Sequence, residues 1–129
     1  MNKKDSIYLR NKLLQKIKHT NRSVNKEGYV KLNCSNSLEH EMAKTKVTYL
    51  LKLRGYYVFT ECEFSERVGI GDIIAIRKGR GYIIEILTSE TDKRFNKKKS
   101  KYPKEFNLIK IHSKDILKRE QLNLEEWGL

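Results

Sequence analysis

Only two cysteines, Cys34 and Cys62, occur in the 129 residues. They are too few for a disulfide scaffold, and their spacing suits neither a zinc ribbon nor a redox pair. Both read as small, partly buried residues. No apolar run approaches the roughly 20 residues that cross a bilayer, so no membrane association is expected. The start, Met1-Asn2-Lys3-Lys4-Asp5, leads into no apolar signal region, and the expected location is the cytoplasm. There is no internal repeat, no low-complexity linker and no sign of a second domain. The expectation is one domain over 1–129, with one modest core.

Acidic residues are also in short supply. Lys and Arg number 28 against 16 Asp and Glu, a net charge of +12. Such a surplus favours a polyanion partner over an acidic small molecule. The charge is uneven. Residues 1–31 hold nine Lys/Arg against Asp5 and Glu27. Residues 92–104 hold Lys93, Arg94, Lys97, Lys98, Lys99, Lys101 and Lys104 against a single Asp, with Phe95 and Tyr102 among them. A single basic run is usually a solvated face. Two runs and a basic turn (Arg77, Lys78, Arg80) point to nucleic acid, and neither run has the broad apolar face that would lie in lipid.

The pattern of apolar residues predicts a mixed β-sheet flanked by helices, an α/β fold. Ile7, Leu13, Leu14 and Ile17 recur near the helical period over 5–19. Tyr29 to Cys34 alternates weakly, as a short strand or an extended arm. Ser35-Asn36-Ser37 offers N-caps for a helix near 37–54 that Gly55 ends. Strands are expected at Tyr56–Thr60, Asp72–Ile76 and Tyr82–Leu87, the last two joined as a hairpin through Lys78-Gly79-Arg80-Gly81. A polar helix is expected over 89–101, stopped near Pro103. A strand at 106–111 and a last helix capped by Ser113 follow. This divides the chain into a basic N-terminal helix and arm (1–36), a core (37–112) and a C-terminal helix (113–129).

Within that frame two carboxylates stand out. Asp72 opens one strand of the hairpin and Glu85 sits near the middle of the other, each flanked by isoleucines. A carboxylate in an apolar strand is costly unless paired, protonated or bound to a cation. Two side by side repel, and a divalent cation removes the repulsion. Hard oxygen ligands suit Mg²⁺ or Mn²⁺. The plainer alternative has Asp72 capping a turn and Glu85 facing solvent. On the 37–54 helix, steps of 100° place Ala43, Val47, Leu50 and Leu51 on one stripe, with Glu39 and His40 on or beside it and Glu41 opposite. Glu39 can therefore turn toward the sheet as a third carboxylate. Alternatively it completes a capping box with Asn36, and Glu41 takes its place if the helical phase differs.

Glu39, then Gly71-Asp72, then Glu85-Ile86-Leu87 resembles the PD-(D/E)XK nuclease superfamily, with its helix glutamate, its proline-aspartate strand start and its Glu-x-Lys strand. The stretch Ser37-Leu38-Glu39-His40, then Gly55-Tyr56-Tyr57-Val58 and Glu61, then Gly71 to Ala75 is similar to small archaeal and viral members, Holliday-junction resolvases among them. The resemblance covers about residues 37–112. It implies a restriction-endonuclease-like αβββαβ core, one or two Mg²⁺ ions and hydrolysis of a DNA phosphodiester, branched DNA included. Asp72 and Glu85 would hold the ion, with the Ile86 carbonyl as a further ligand, and Glu39 would hold a second ion or a metal-bound water. The runs at 93–104 and 1–31 would grip phosphates. A homodimer with two-fold symmetry is expected, because nucleases that cut both strands pair their sites.

Two positions depart from the motif. Gly71 replaces the proline, a mild change at a strand-entry turn. Leu87 stands where the lysine belongs, on the same strand face as Glu85. Leucine neither orients water nor offsets charge on a phosphate. Lys46 is the leading substitute cation, with Lys44, Lys93 and Arg94 as others. The expected activity is a metal-dependent endonuclease. The alternatives are a non-catalytic nucleic-acid-binding protein on the same scaffold, or a protein whose basic face docks an acidic partner.

Overall fold

A computed structural model describes residues 2–17, 28–64, 70–88 and 102–129. Helix α1 spans Lys3–Gln15, and its N-cap Asn2 accepts the Asp5 N–H at 2.8 Å. Strand β1 is Gly28–Tyr29, and helix α2 is Leu38–Leu53. Strands β2 (Tyr57–Glu63), β3 (Ile70–Arg77) and β4 (Arg80–Leu87) follow. Strand β5 (Phe106–His112) runs directly into the short helix α3 (Ser113–Leu117), and Leu124–Trp127 closes the chain as a 3-10 turn. His112, not Ser113, is the N-cap of α3. The polar helix expected over 89–101 lies outside the described residues, and so do Lys93, Arg94, Lys97, Lys98, Lys99 and Lys101.

The five strands form one mixed sheet in the order β1-β2-β3-β4-β5. The pairs β2–β3 and β3–β4 are antiparallel, while β1–β2 and β4–β5 are parallel. Arg77 pairs with Arg80, so the hairpin loop is only Lys78-Gly79. Both loop residues have positive φ, 51° and 74°. That is the geometry whose twist matches two antiparallel strands. At Gly28, φ is 125° and an added Cβ would lie 1.8 Å from the Val58 carbonyl oxygen. Only glycine lets β1 approach β2 there.

Both faces of the sheet are covered, which explains its nearly continuous isoleucine runs. Val58, Ile73, Ala75, Ile84 and Ile86 pack with Ala43, Val47 and Leu51 of α2 and with Ile116 and Leu124 of the C-terminal elements. Phe59, Ile74, Ile76 and Ile83 face the other way, onto Leu13 and Ile17. Leu13, Ile17, Ile116 and Leu124 of the terminal elements are thus buried in the chain's own core, whereas Ile7 is exposed. Among the described residues no helix is long and apolar enough to cross a membrane.

Candidate functional site at the fork of the sheet

Ser37 caps α2 by accepting the His40 N–H at 3.1 Å. The cap fixes the helical phase. His40, Glu41, Ala43, Lys44, Val47, Thr48 and Leu51 are the buried residues. Glu41 is therefore the inward carboxylate. Glu39 is half-exposed and has no hydrogen bond or ion pair among the described residues, and its capping box with Asn36 does not form. Ala43, Val47 and Leu51 face the core as their spacing predicts, with Leu50 packed beside them, but the buried face extends to Glu41 and Lys44 rather than to Glu39, because these charged residues and His40 are buried as partners of one another.

Asp72 lies where the sheet opens. Backbone pairing between β3 and β4 runs as far as Ile73–Ile84, whereas β4 stays paired with β5 through Leu87–His112. In the resulting fork the Ile86 N–H donates to Asp72 Oδ2 at 2.8 Å, so a side chain takes the place of a ladder carbonyl. His40 Nε2 meets the same oxygen at 3.3 Å. Glu85 lies beside Asp72 on the neighbouring strand, one step past the Ile73–Ile84 pair, and contributes to holding the Asp72 carboxyl low. Tyr102 O–H donates to Glu85 Oε1. The expected pair on neighbouring strands is thus brought together, with Glu85 only 3% exposed.

His40 also connects this pair to a second buried cluster. Its Nδ1 lies 3.0 Å from Glu41 Oε2. Glu41 Oε1 accepts from Lys44 Nζ and from the Asn33 N–H, both at 2.6 Å. Lys44, wholly buried, also donates to Glu61 Oε1 at 3.0 Å and to the Lys31 carbonyl at 3.0 Å. Asn36 Nδ2 reaches both Glu41 and Glu61. Glu61 arrives there by a backbone irregularity. The β2–β3 pairing passes from Thr60–Ile73 to Cys62–Gly71, skipping Glu61 and Asp72. Glu61 has φ 50°, in the left-handed region that L residues rarely adopt. The kink leaves Cys62 on the same face as Phe59, and turns the Glu61 carboxylate toward α2. Such a conformation costs of order 1–3 kcal/mol and persists only where surrounding contacts hold it. Here the Lys44 ion pair is one of them.

Electrostatics follow from these contacts. The Asp72 hydrogen bond, aided by the charges of Asp72 and Glu41 and opposed by burial, raises the His40 pKa to about 9. His40 is therefore an imidazolium at neutral pH, donating from both ring nitrogens. Burial pushes the Asp72 carboxyl up, but the His40 hydrogen bond, Glu85, the His40 charge and the Ile86 amide outweigh it and hold Asp72 below the usual carboxylate range. Burial likewise opposes ionisation of Glu41, yet the Asn33 N–H, Lys44, His40 and Asn36 bring its pKa down to about 2.

The remaining candidates lie elsewhere. Lys46 donates to the carbonyls of Ile116 and Arg119, tethering the C-terminal segment, and no contact joins it to Asp72 or Glu85. Leu87 is fully buried in β4. Among the described residues the cation that reaches Asp72 is His40, and Lys44 is held by two carboxylates.

Among the described residues no group of three or more His, Cys, Asp or Glu side chains is arranged to hold a metal ion. The Asp72–Glu85 pair still has donor chemistry that fits Mg²⁺. This ion is usually held by one or two carboxylates, keeps several waters and takes further oxygens from substrate phosphate. Two carboxylates on neighbouring strands repel once both are ionised, and a divalent ion between them removes the repulsion. The Ile86 carbonyl leaves the strand on the same side as its N–H, toward the fork.

Comparison with known protein families, with curated proteins and with solved structures finds none that matches the chain.

Proposed function

We propose that the fork of β3 and β4 is the site of a metal-dependent nuclease acting on DNA. The observation that carries this reading is the Asp72–Glu85 pair, which neighbouring strands bring together beside the Ile86 amide. The order α2-β2-β3-β4, followed by β5 parallel to β4, supports a restriction-endonuclease-like core. The charge of +12 supports a polyanionic substrate.

Asp72 and Glu85 would hold Mg²⁺ or Mn²⁺, which when bound supplies an activated water and polarises a phosphoryl oxygen. Asp72 is kept ionised and aimed by His40 and by the Ile86 N–H. Tyr102 orients Glu85. Glu41 positions His40 by accepting its second ring proton. His40 is the cation beside the pair, and it provides positive charge where Leu87 cannot. The homodimer expected from sequence draws no support from the terminal elements, because Leu13, Ile17, Ile116 and Leu124 are buried in the chain's own core.

One observation favours a second reading. Leu87 is buried and Lys46 is engaged elsewhere, so a nucleic-acid-binding protein without catalysis is the competing function. Incubation with plasmid, single-stranded and branched DNA under Mg²⁺ or Mn²⁺ separates the two. The nuclease cuts at least one substrate, and Asp72→Asn abolishes the cutting. Retention of every substrate without cleavage, at full DNA affinity, leaves the binder.

A further inference from the structure

The opposite end of the hairpin carries a second site that is independent of the fork. Two adjoining cavities of about 470 and 760 Å³ open there and share Ser6, Ile7, Arg77 and Lys78 in their walls. They form one groove between the first half of α1, the β3–β4 turn and the end of the chain. Six cations line it: Lys3, Arg10, Arg54, Arg77, Lys78 and Arg80. Among the described residues no Asp or Glu does so. Asp72 and Arg77 stand at opposite ends of β3, five residues apart, so groove and fork are separated by about 16 Å along the strand.

Three of the guanidinium groups are already fixed in place. Arg10 donates to the Tyr57 hydroxyl at 3.2 Å and lies 5.5 Å from the centre of its ring. Arg77 donates to the Arg54 carbonyl at 2.9 Å and lies 4.9 Å from the centre of the Tyr56 ring. Arg54 donates to the Leu129 carbonyl at 2.9 Å and is shared with Glu125. Arg77, held by stacking and by one hydrogen bond, keeps its other N–H groups for an incoming oxyanion and loses little freedom on binding it, whereas Arg10, which also reaches Asn11 Oδ1 at 3.3 and 3.4 Å, and Arg54 add positive charge from fixed positions. Lys3, Lys78 and Arg80 are exposed and have no ion pair among the described residues.

We infer that this groove binds the sugar-phosphate backbone of a single nucleic-acid strand. Six cations along two joined cavities exceed what one phosphate monoester needs and suit a run of phosphates. Tyr57 and Tyr82, half-buried in the walls, add aromatic surface of the kind that bases stack on. A duplex keeps its bases stacked inside the helix and leaves these rings unused. A lipid surface fits poorly, since the groove is concave and Ile7 is the one large apolar side chain exposed in it.

The test is fluorescence anisotropy of a short labelled oligothymidylate over a range of salt, in chelator so that no cleavage occurs. Substituting Lys3→Gln, Lys78→Gln and Arg80→Gln together should weaken binding at least about tenfold at low salt. It should also flatten the slope of log K against log salt by about 2, since each phosphate contact on a single strand contributes about 0.7. Lys78→Gln and Arg80→Gln alone, each at an exposed position, should each flatten it by about 0.7. A charge-matched control, Lys52→Gln with Lys114→Gln and Lys118→Gln on other exposed surface, should change affinity less than about threefold. Equal losses in the two triple variants, or no loss in the first, overturn the inference. Competition by polyglutamate as effective as that by unlabelled oligothymidylate also overturns it, in favour of an acidic protein partner. The readout contains neither metal nor cleavage, so failure of the nuclease reading leaves this result untouched.

Discussion

The β3–β4 hairpin ends in two regions of opposite charge and opposite economy. At the fork, Glu41, Glu61, Asp72 and Glu85 are held by donors from the same chain: His40, Lys44, Tyr102, Asn33, Asn36 and the Ile86 amide. At the turn, Lys3, Lys78 and Arg80 stand exposed around an open groove. Charge taken out of water must be compensated internally, and each partner is then locked into one arrangement. Charge left in water costs little and stays available to a ligand. The fork is thus where substitutions should cost stability, and the groove where they should cost only binding.

The largest stability effect is expected at Lys44. Lys44→Met leaves the half-buried Glu61 without its cation and the buried Glu41 with His40 alone, and should cost about 3–5 kcal/mol. Urea unfolding would show it, and a loss under about 1 kcal/mol would mean that water fills the space. The pH dependence at His40 is nearly as large. Its pKa rises from 6.5 to about 9 on folding, so its contribution is complete below the lower value, declines above it and is gone once pH passes the upper one. The expected loss over that window is about 3 kcal/mol, read from urea midpoints in chelator, and His40→Gln should flatten the curve. Glu41 has the opposite sign: its contribution is present above 4.5 and is lost as pH falls through about 2. Tyr102→Phe removes one hydrogen bond to Glu85 and should cost about 1–2 kcal/mol. Arg80→Gln, in the groove, should move the urea midpoint by less than about 0.5 kcal/mol. A larger change there would erase the contrast between the two regions.

Much of this architecture is legible in local signals. Ser37 and Gly55 bracket α2 as cap residues do, and the hairpin around Lys78-Gly79 follows from its turn residues and flanking isoleucines. Asp72 and Glu85 are recognisable because carboxylates inside isoleucine runs need a partner. Glu41 was less legible than Glu39, since a helical wheel drawn on apolar residues is blind to a charged stripe that buries itself by pairing. Lys44 and Glu61 were hidden for the same reason. Glu61 also depends on a left-handed kink that resets the strand alternation, and no residue type announces it. Tyr102, found near a basic run, reads as part of that run until the fold brings it beside Glu85. The groove joins segments distant in the chain: the basic run over 1–31 and the turn cations both signal phosphate binding, but nothing in the sequence shows that Lys3 and Arg10 meet Arg54, Arg77, Lys78 and Arg80.

The most direct test of the fork is calorimetric titration with Mn²⁺ of the wild type, Asp72→Asn and Glu85→Gln, each first shown to be folded by circular dichroism. The wild type should bind Mn²⁺ with measurable heat, and both variants should lose that heat while keeping oligothymidylate affinity. Unchanged Mn²⁺ binding in both variants would contradict the account.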